Sequence, residues 1–187
     1  MQPVYITGHS RPVRQVLHNH DGDLLFSCSD DHTVCMFTTP QCERIGVFDT
    51  KEACVSIDIT KDSKHLIACP TTIGFQIYCV NDGKLLKTVN VPGLQAEKVY
   101  LSYSDKEIAV QYYANKQSFI RIYSFSRVMD PAWSDKEITE TCQISCNPDF
   151  RFMNFVWGPL DKSIYACTSN GRVIQYDTGT GKIMQEA

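Results

Sequence analysis

The chain has 187 residues, 43% of them hydrophobic and 11% aromatic, enough to build a buried core and to exclude disorder. A formal net charge of -3, with Lys and Arg never gathered beyond pairs, excludes the basic footprint of a direct nucleic-acid binder. No run approaches the roughly 20 apolar residues that span a bilayer, and Met1 to Ser10 lacks the apolar core of a signal peptide, so a soluble, cytoplasmic protein without membrane contact is expected. Nine cysteines, an odd number lying largely in apolar runs, read as buried thiols packing like small hydrophobes.

Short β-branched and aromatic runs separated by Asp, Gly, Asn and Ser turns predict an all-β chain of short strands. The first unit runs from Gly8-His9 through Val13 to Leu17, a turn at Asp21-Gly22-Asp23, Leu24 to Ser27, and Asp31 to Phe37. A second has Val55 to Ile59, a turn at Lys61-Asp62-Ser63, Leu66 to Cys69 and Phe75 to Tyr78. The third follows with Val99 to Tyr103, Ile108 to Tyr112 and Phe119 to Tyr123, and then a polar insertion. The fourth has Phe152 to Trp157, Ile164 to Cys167 and Val173 to Asp177. Outer strands are expected at Glu43 to Phe48, Lys84 to Val89 and Lys182 to Gln185. Cys28, Cys69 and Cys167 each precede the aromatic residues Phe37, Tyr78 and Tyr176 by nine positions, which puts three thiols at one repeat position.

A period of just over forty residues marks a stacked or radial repeat. The units resemble the WD repeat, with Phe37, Tyr78, Tyr123 and Tyr176 in the place of its Trp and only Asp177 keeping its Asp. This resemblance implies a WD40-type β-propeller with four four-stranded blades, an incomplete part of a seven-bladed ring. The expected boundaries are about 8–48, 53–89, 95–128 with an insertion at 129–141, and 146–187. Gln2 to Thr7 reads as a strand that would close the ring against a further blade.

Beyond the generic repeat, Gly8-His9, Gly22-Asp23-Leu24-Leu25-Phe26, Glu43-Arg44-Ile45-Gly46, Asp130-Pro131, Cys146-Asn147 and above all Val156-Trp157-Gly158-Pro159-Leu160, followed by Gln175-Tyr176, resemble subunit i of eukaryotic translation initiation factor 3. The Trp-Gly-Pro stretch is the most specific, because it is foreign to the general WD pattern. The resemblance implies a non-catalytic scaffold bound to the b and g subunits of that factor and, within the complex, to the small ribosomal subunit. A WD adaptor of another complex, of the receptor-kinase-associated type, is the alternative.

Candidate chemistry is sparse. His9 and Asp31 resemble the structural His–Asp pair of the WD repeat; with Ser27 or Ser29 they would also suit a hydrolase relay, although no nucleophile-elbow sequence accompanies them. His18, His20, Cys142 and Cys146 hint at metal ligation, yet no paired ligand spacing supports it, so neither metal nor cofactor is expected. Lys61, Lys64, Lys84, Lys87 and Lys98 alternate with Asp58, Asp62, Asp82 and Glu97, the signature of a solvated face. Trp157 reads as core. Trp133, in the insertion, either tucks that segment onto the rim or meets a partner.

Overall fold

The structure, a computed structural model, describes residues 5–133 and 139–186. Its strands form four antiparallel four-stranded sheets, each ordered as in the sequence. The first contains β1 (Val13–His18), β2 (Leu24–Ser29), β3 (Thr33–Thr38) and β4 (Arg44–Asp49); the second, β5 (Cys54–Ile59), β6 (His65–Pro70), β7 (Gly74–Cys79) and β8 (Leu85–Asn90). The third contains β9 (Gln95–Leu101), β10 (Glu107–Ala114), β11 (Gln117–Ser124) and β12 (Cys142–Ser145). The fourth contains β13 (Phe152–Trp157), β14 (Ser163–Thr168), β15 (Val173–Asp177) and β16 (Ile183–Glu186). Each sheet is one blade, a meander whose short turns let consecutive strands pair directly.

Burial follows position in the stack. Strands β6, β7, β10 and β11 have neighbouring sheets on both faces and are buried almost throughout, so they read as continuous apolar runs. Strands β1 and β13 alternate between exposed and covered residues, because the first and fourth sheets are flanked on one side only. The core divides into three clusters, one at each junction. Phe26, Phe48, Ile57 and Tyr78 join blades 1 and 2. Ile77, Val99, Tyr112 and Tyr123 join blades 2 and 3, and Ile122, Phe155, Trp157 and Tyr176 join blades 3 and 4.

The third blade differs from the expected unit that stopped at residue 128. A helical turn, α1 (Phe125–Met129), follows β11 directly with Val128 fully buried, and the outer strand is taken up only at Cys142. The insertion therefore interrupts the blade and does not divide two blades. At the chain start, Tyr5 to Thr7 form no strand; the rest of the expected closing strand, Gln2 to Val4, lies outside the described residues.

Candidate functional site

The four aromatic positions share one place in the ladder. Phe37, Tyr78, Tyr123 and Tyr176 each lie opposite an apolar residue of the second strand: Leu25, Leu66, Ile108 and Ile164. All four are nearly fully buried. Tyr78 packs edge-on to Phe48 of the preceding blade, its hydroxyl donating to the Asp49 carbonyl at 2.8 Å, and Tyr123 packs on Phe75 in the same sense. Phe37 has no blade before it; Gly8 covers its ring, so closely that a Cβ at that position would sit 2.7 Å from Phe37 Cζ. The cysteine register is equally regular. Cys28, Cys69 and Cys167 pair with Gln15, Ser56 and Asn154, in each case one step past a bulge in the innermost strand. In the third blade the same place, three residues beyond the partner of the aromatic, holds buried Gln111.

Gly8 and His9 lead into β1, and Asp31 sits in the turn between β2 and β3. His9 Nδ1 donates to Asp31 Oδ2 at 3.0 Å, and His9 Nε2 accepts from the Ser27 hydroxyl at 2.7 Å. Asp31 also receives the Ser10 N–H at 2.9 Å and the Thr33 hydroxyl at 2.6 Å. Burial works against its charge, but the Thr33 hydroxyl, the Ser10 N–H and His9 outweigh it and lower its pKa to about 2. The order Ser27–His9–Asp31 is that of a nucleophile, a base and the group that orients the base. Ser27 borders a cavity of about 360 Å³ lined in part by Ile6, Val16, Leu25 and Phe37. It also lies mid-strand, paired with Val16 on one side and Cys35 on the other, so the surrounding amides serve the two ladders. Ser29 stands outside the relay, its hydroxyl donating to the Arg11 carbonyl at 3.1 Å.

Trp157 is 5% exposed, and its indole N–H donates to the Tyr100 carbonyl of the third blade at 3.1 Å. The next two residues shape the turn between β13 and β14 within the fourth blade. A Cβ on Gly158 would lie 2.2 Å from Ser163 Oγ, and Pro159 opens the one-turn 3-10 segment Pro159–Asp161 immediately after the strand. Asp177 caps the β15–β16 turn by accepting from the Thr180 N–H at 2.8 Å and its hydroxyl at 2.7 Å.

Trp133, in the described start of the insertion, lies against the second blade. The Lys87 ammonium donates to the Trp133 carbonyl at 2.6 Å, and the Arg127 guanidinium lies 5.6 Å from the centre of the Trp133 ring. His18 and His20 are exposed, Cys146 is buried with its thiol donating to the Phe150 carbonyl, and among the described residues no three His, Cys, Asp or Glu side chains meet as a metal would require. Lys64 and Lys84 pair with exposed Asp62 and Asp82, but Asp58, grouped with them in the sequence as part of a solvated face, is largely buried.

Sequence reading missed the polar ties between blades. Gln15 of β1 exchanges hydrogen bonds with the Ile57 N–H and C=O, both at 3.0 Å. Asp58 of β5 takes the Leu101 N–H at 2.7 Å. At the turns after the innermost strands, Asn19 reaches Ser63, Asp105 takes the Lys61 N–H, and Asp161 takes the N–H groups of Tyr103 and Ser104. Positive φ values at Ser63, Asp105 and Asp161 aim these side chains at the preceding blade. Asp in a turn is so common that its presence alone gave no signal of this role.

Comparison with known proteins converges on the same architecture. The family described as "WD domain, G-beta repeat" matches residues 1–38. Two solved structures superpose on 98% of the chain at 16% identity: the Myceliophteria thermophila Cps50 (Swd1) β-propeller domain, with a TM-score of 0.74 over 57% of that chain, and Kuenenia stuttgartiensis hydrazine synthase, with 0.77 over 52% of it. At that identity the likeness concerns fold alone. The chain has a β-propeller fold, and its first 38 residues match the WD repeat. It is similar along its length to eukaryotic translation initiation factor 3 subunit I. The Dictyostelium discoideum protein is 30% identical over 95% of the chain, the Brugia malayi protein 28% over 97%, and the Homo sapiens protein 28% over 98%. The chain spans about half the length of these relatives, 52% to 56%. Among its described residues no helix is long and apolar enough to cross a membrane.

Proposed function

We propose that this WD-repeat chain is a non-catalytic scaffold of the eukaryotic translation initiation factor 3 complex, holding its b and g subunits and working in the cytoplasm on the small ribosomal subunit. The observation that carries the proposal is the similarity to subunit I over 95% to 98% of the chain.

The Ser27–His9–Asp31 relay supports a structural reading of the same residues. Ser27 is 6% exposed within a strand paired on both sides, so its own strand offers no free amides to an oxyanion. The relay fastens the segment before β1 to the β2–β3 turn, and its worth is stability.

Affinity purification of the tagged chain tests the reading. Initiation factor subunits, with b and g among them, should co-purify together with small-subunit proteins. Enrichment of an unrelated complex in their place overturns it, as does measurable hydrolysis that disappears in His9→Ala.

A further inference from the structure

A cavity of about 590 Å³ opens between the third and fourth blades, on the face that carries the turns after the innermost strands. Its walls include Tyr103, Lys106, Glu107, Leu160, Asp161 and Thr178. Two of these are large side chains left in water, Tyr103 at 61% and Leu160 at 81% exposure. Leu160 is also held at φ 58° and ψ 21°, a left-handed conformation that a leucine adopts only under external constraint. The constraint is visible: Asp161 accepts the N–H groups of Tyr103 and Ser104 at 2.7 and 2.9 Å, while its carbonyl accepts the Thr178 hydroxyl at 2.9 Å. The fold thus displays an apolar prong next to a residue held by three hydrogen bonds.

Glu107 completes the cleft. Its carboxyl is half-buried and has neither hydrogen bond nor ion pair among the described residues, and burial together with the charge of Asp161 raises its pKa. The lining carries two carboxylates against one ammonium, Lys106, and the Asp161 carboxylate is already committed to backbone amides. Counting both carboxylates, the lining is net negative, which favours a cationic occupant.

We propose that this cleft is a docking site for an arginine side chain presented by an apolar peptide segment of a partner protein. The guanidinium fork pairs with the Glu107 carboxylate, its flat face stacks on the Tyr103 ring, and an adjoining apolar side chain lies against Leu160. Arginine fits better than lysine because the site offers a carboxylate and an aromatic face together, and because preformed walls lower the ordering cost of binding. The proposal rests on the scaffold reading only for the existence of a partner; co-purification tests that reading and leaves the chemistry of the cleft untouched.

The test is an NMR titration of the 187-residue chain with a capped glycine–leucine–arginine–leucine–glycine peptide, and with the same peptide carrying citrulline, which keeps the shape and removes the charge. Saturable amide shifts are expected at Tyr103, Glu107, Leu160 and Thr178. Affinity should fall about tenfold both for the citrulline peptide and for the arginine peptide on Glu107→Gln. Equal affinities for the two peptides, unchanged binding to Glu107→Gln, or the absence of saturable shifts in the cleft overturns the proposal.

Discussion

The Asp58 carboxylate of the second blade accepts the backbone N–H of Leu101 in the third at 2.7 Å, and the group that makes this tie is itself strained by burial. Desolvation is the larger influence on it. The Leu101 and Ile59 N–H groups oppose that penalty only in part, and the pKa rises from 3.8 to about 6.

A pH dependence follows from that shift. The folded chain holds the Asp58 proton more tightly than the unfolded one, so the stability this group contributes is complete below about pH 4 and is lost as pH rises through 6. At roughly 1.4 kcal/mol per unit the loss is about 3 kcal/mol. In Asp58→Asn, urea unfolding followed from pH 4 to 7 should show that part of the slope removed. Parallel curves for the two proteins would refute the assignment.

The Asp31 carboxylate titrates in the opposite sense. Asp31 is lowered to about 2, so its contribution is present above its ordinary value of 3.8 and is lost as pH falls toward 2. His9→Ala removes two hydrogen bonds from a side chain only 5% exposed, costing about 2 kcal/mol and lowering the melting temperature by several degrees. The variant should also lose stability less steeply in acid than the parent. Calorimetry at pH 2.5 and pH 5 separates the two effects.

Gly158 tests the β13–β14 turn that carries the Trp-Gly-Pro motif. Alanine there brings a Cβ within 2.2 Å of Ser163 Oγ and 3.1 Å of the Ser163 carbonyl, an overpacking that should cost about 2 kcal/mol. Ser163→Ala in the same chain removes the nearer clash but not the carbonyl, so the double variant should recover part of the loss. A purely additive double-mutant cycle would show that the two residues do not press on each other.

Trp157→Phe keeps the ring in the core and deletes one donor. The Tyr100 carbonyl then loses its partner at a blade junction, and the expected cost is on the order of 1–2 kcal/mol, measured by denaturant midpoint. A midpoint shift near zero would mean that water replaces the indole.

The sequence by itself determined the repeat. Alternation, turn residues and the shared spacing of Cys28, Cys69 and Cys167 to their aromatics located the strands of the first, second and fourth blades, because strand and turn preferences act over a few neighbours. It also paired His9 with Asp31 and placed Trp157 in the core, although it singled out neither Ser27 as the hydroxyl that donates to His9 nor the Tyr100 carbonyl that Trp157 meets. The tertiary structure alone decided the rest. It put the outer strand of the third blade beyond the insertion at Cys142, a pairing that depends on which ladder the returning chain meets. It also turned Gln15, Asp58 and Asp161 from ordinary polar residues into ties between blades, since those bonds join groups more than forty residues apart and exist only once the sheets have stacked.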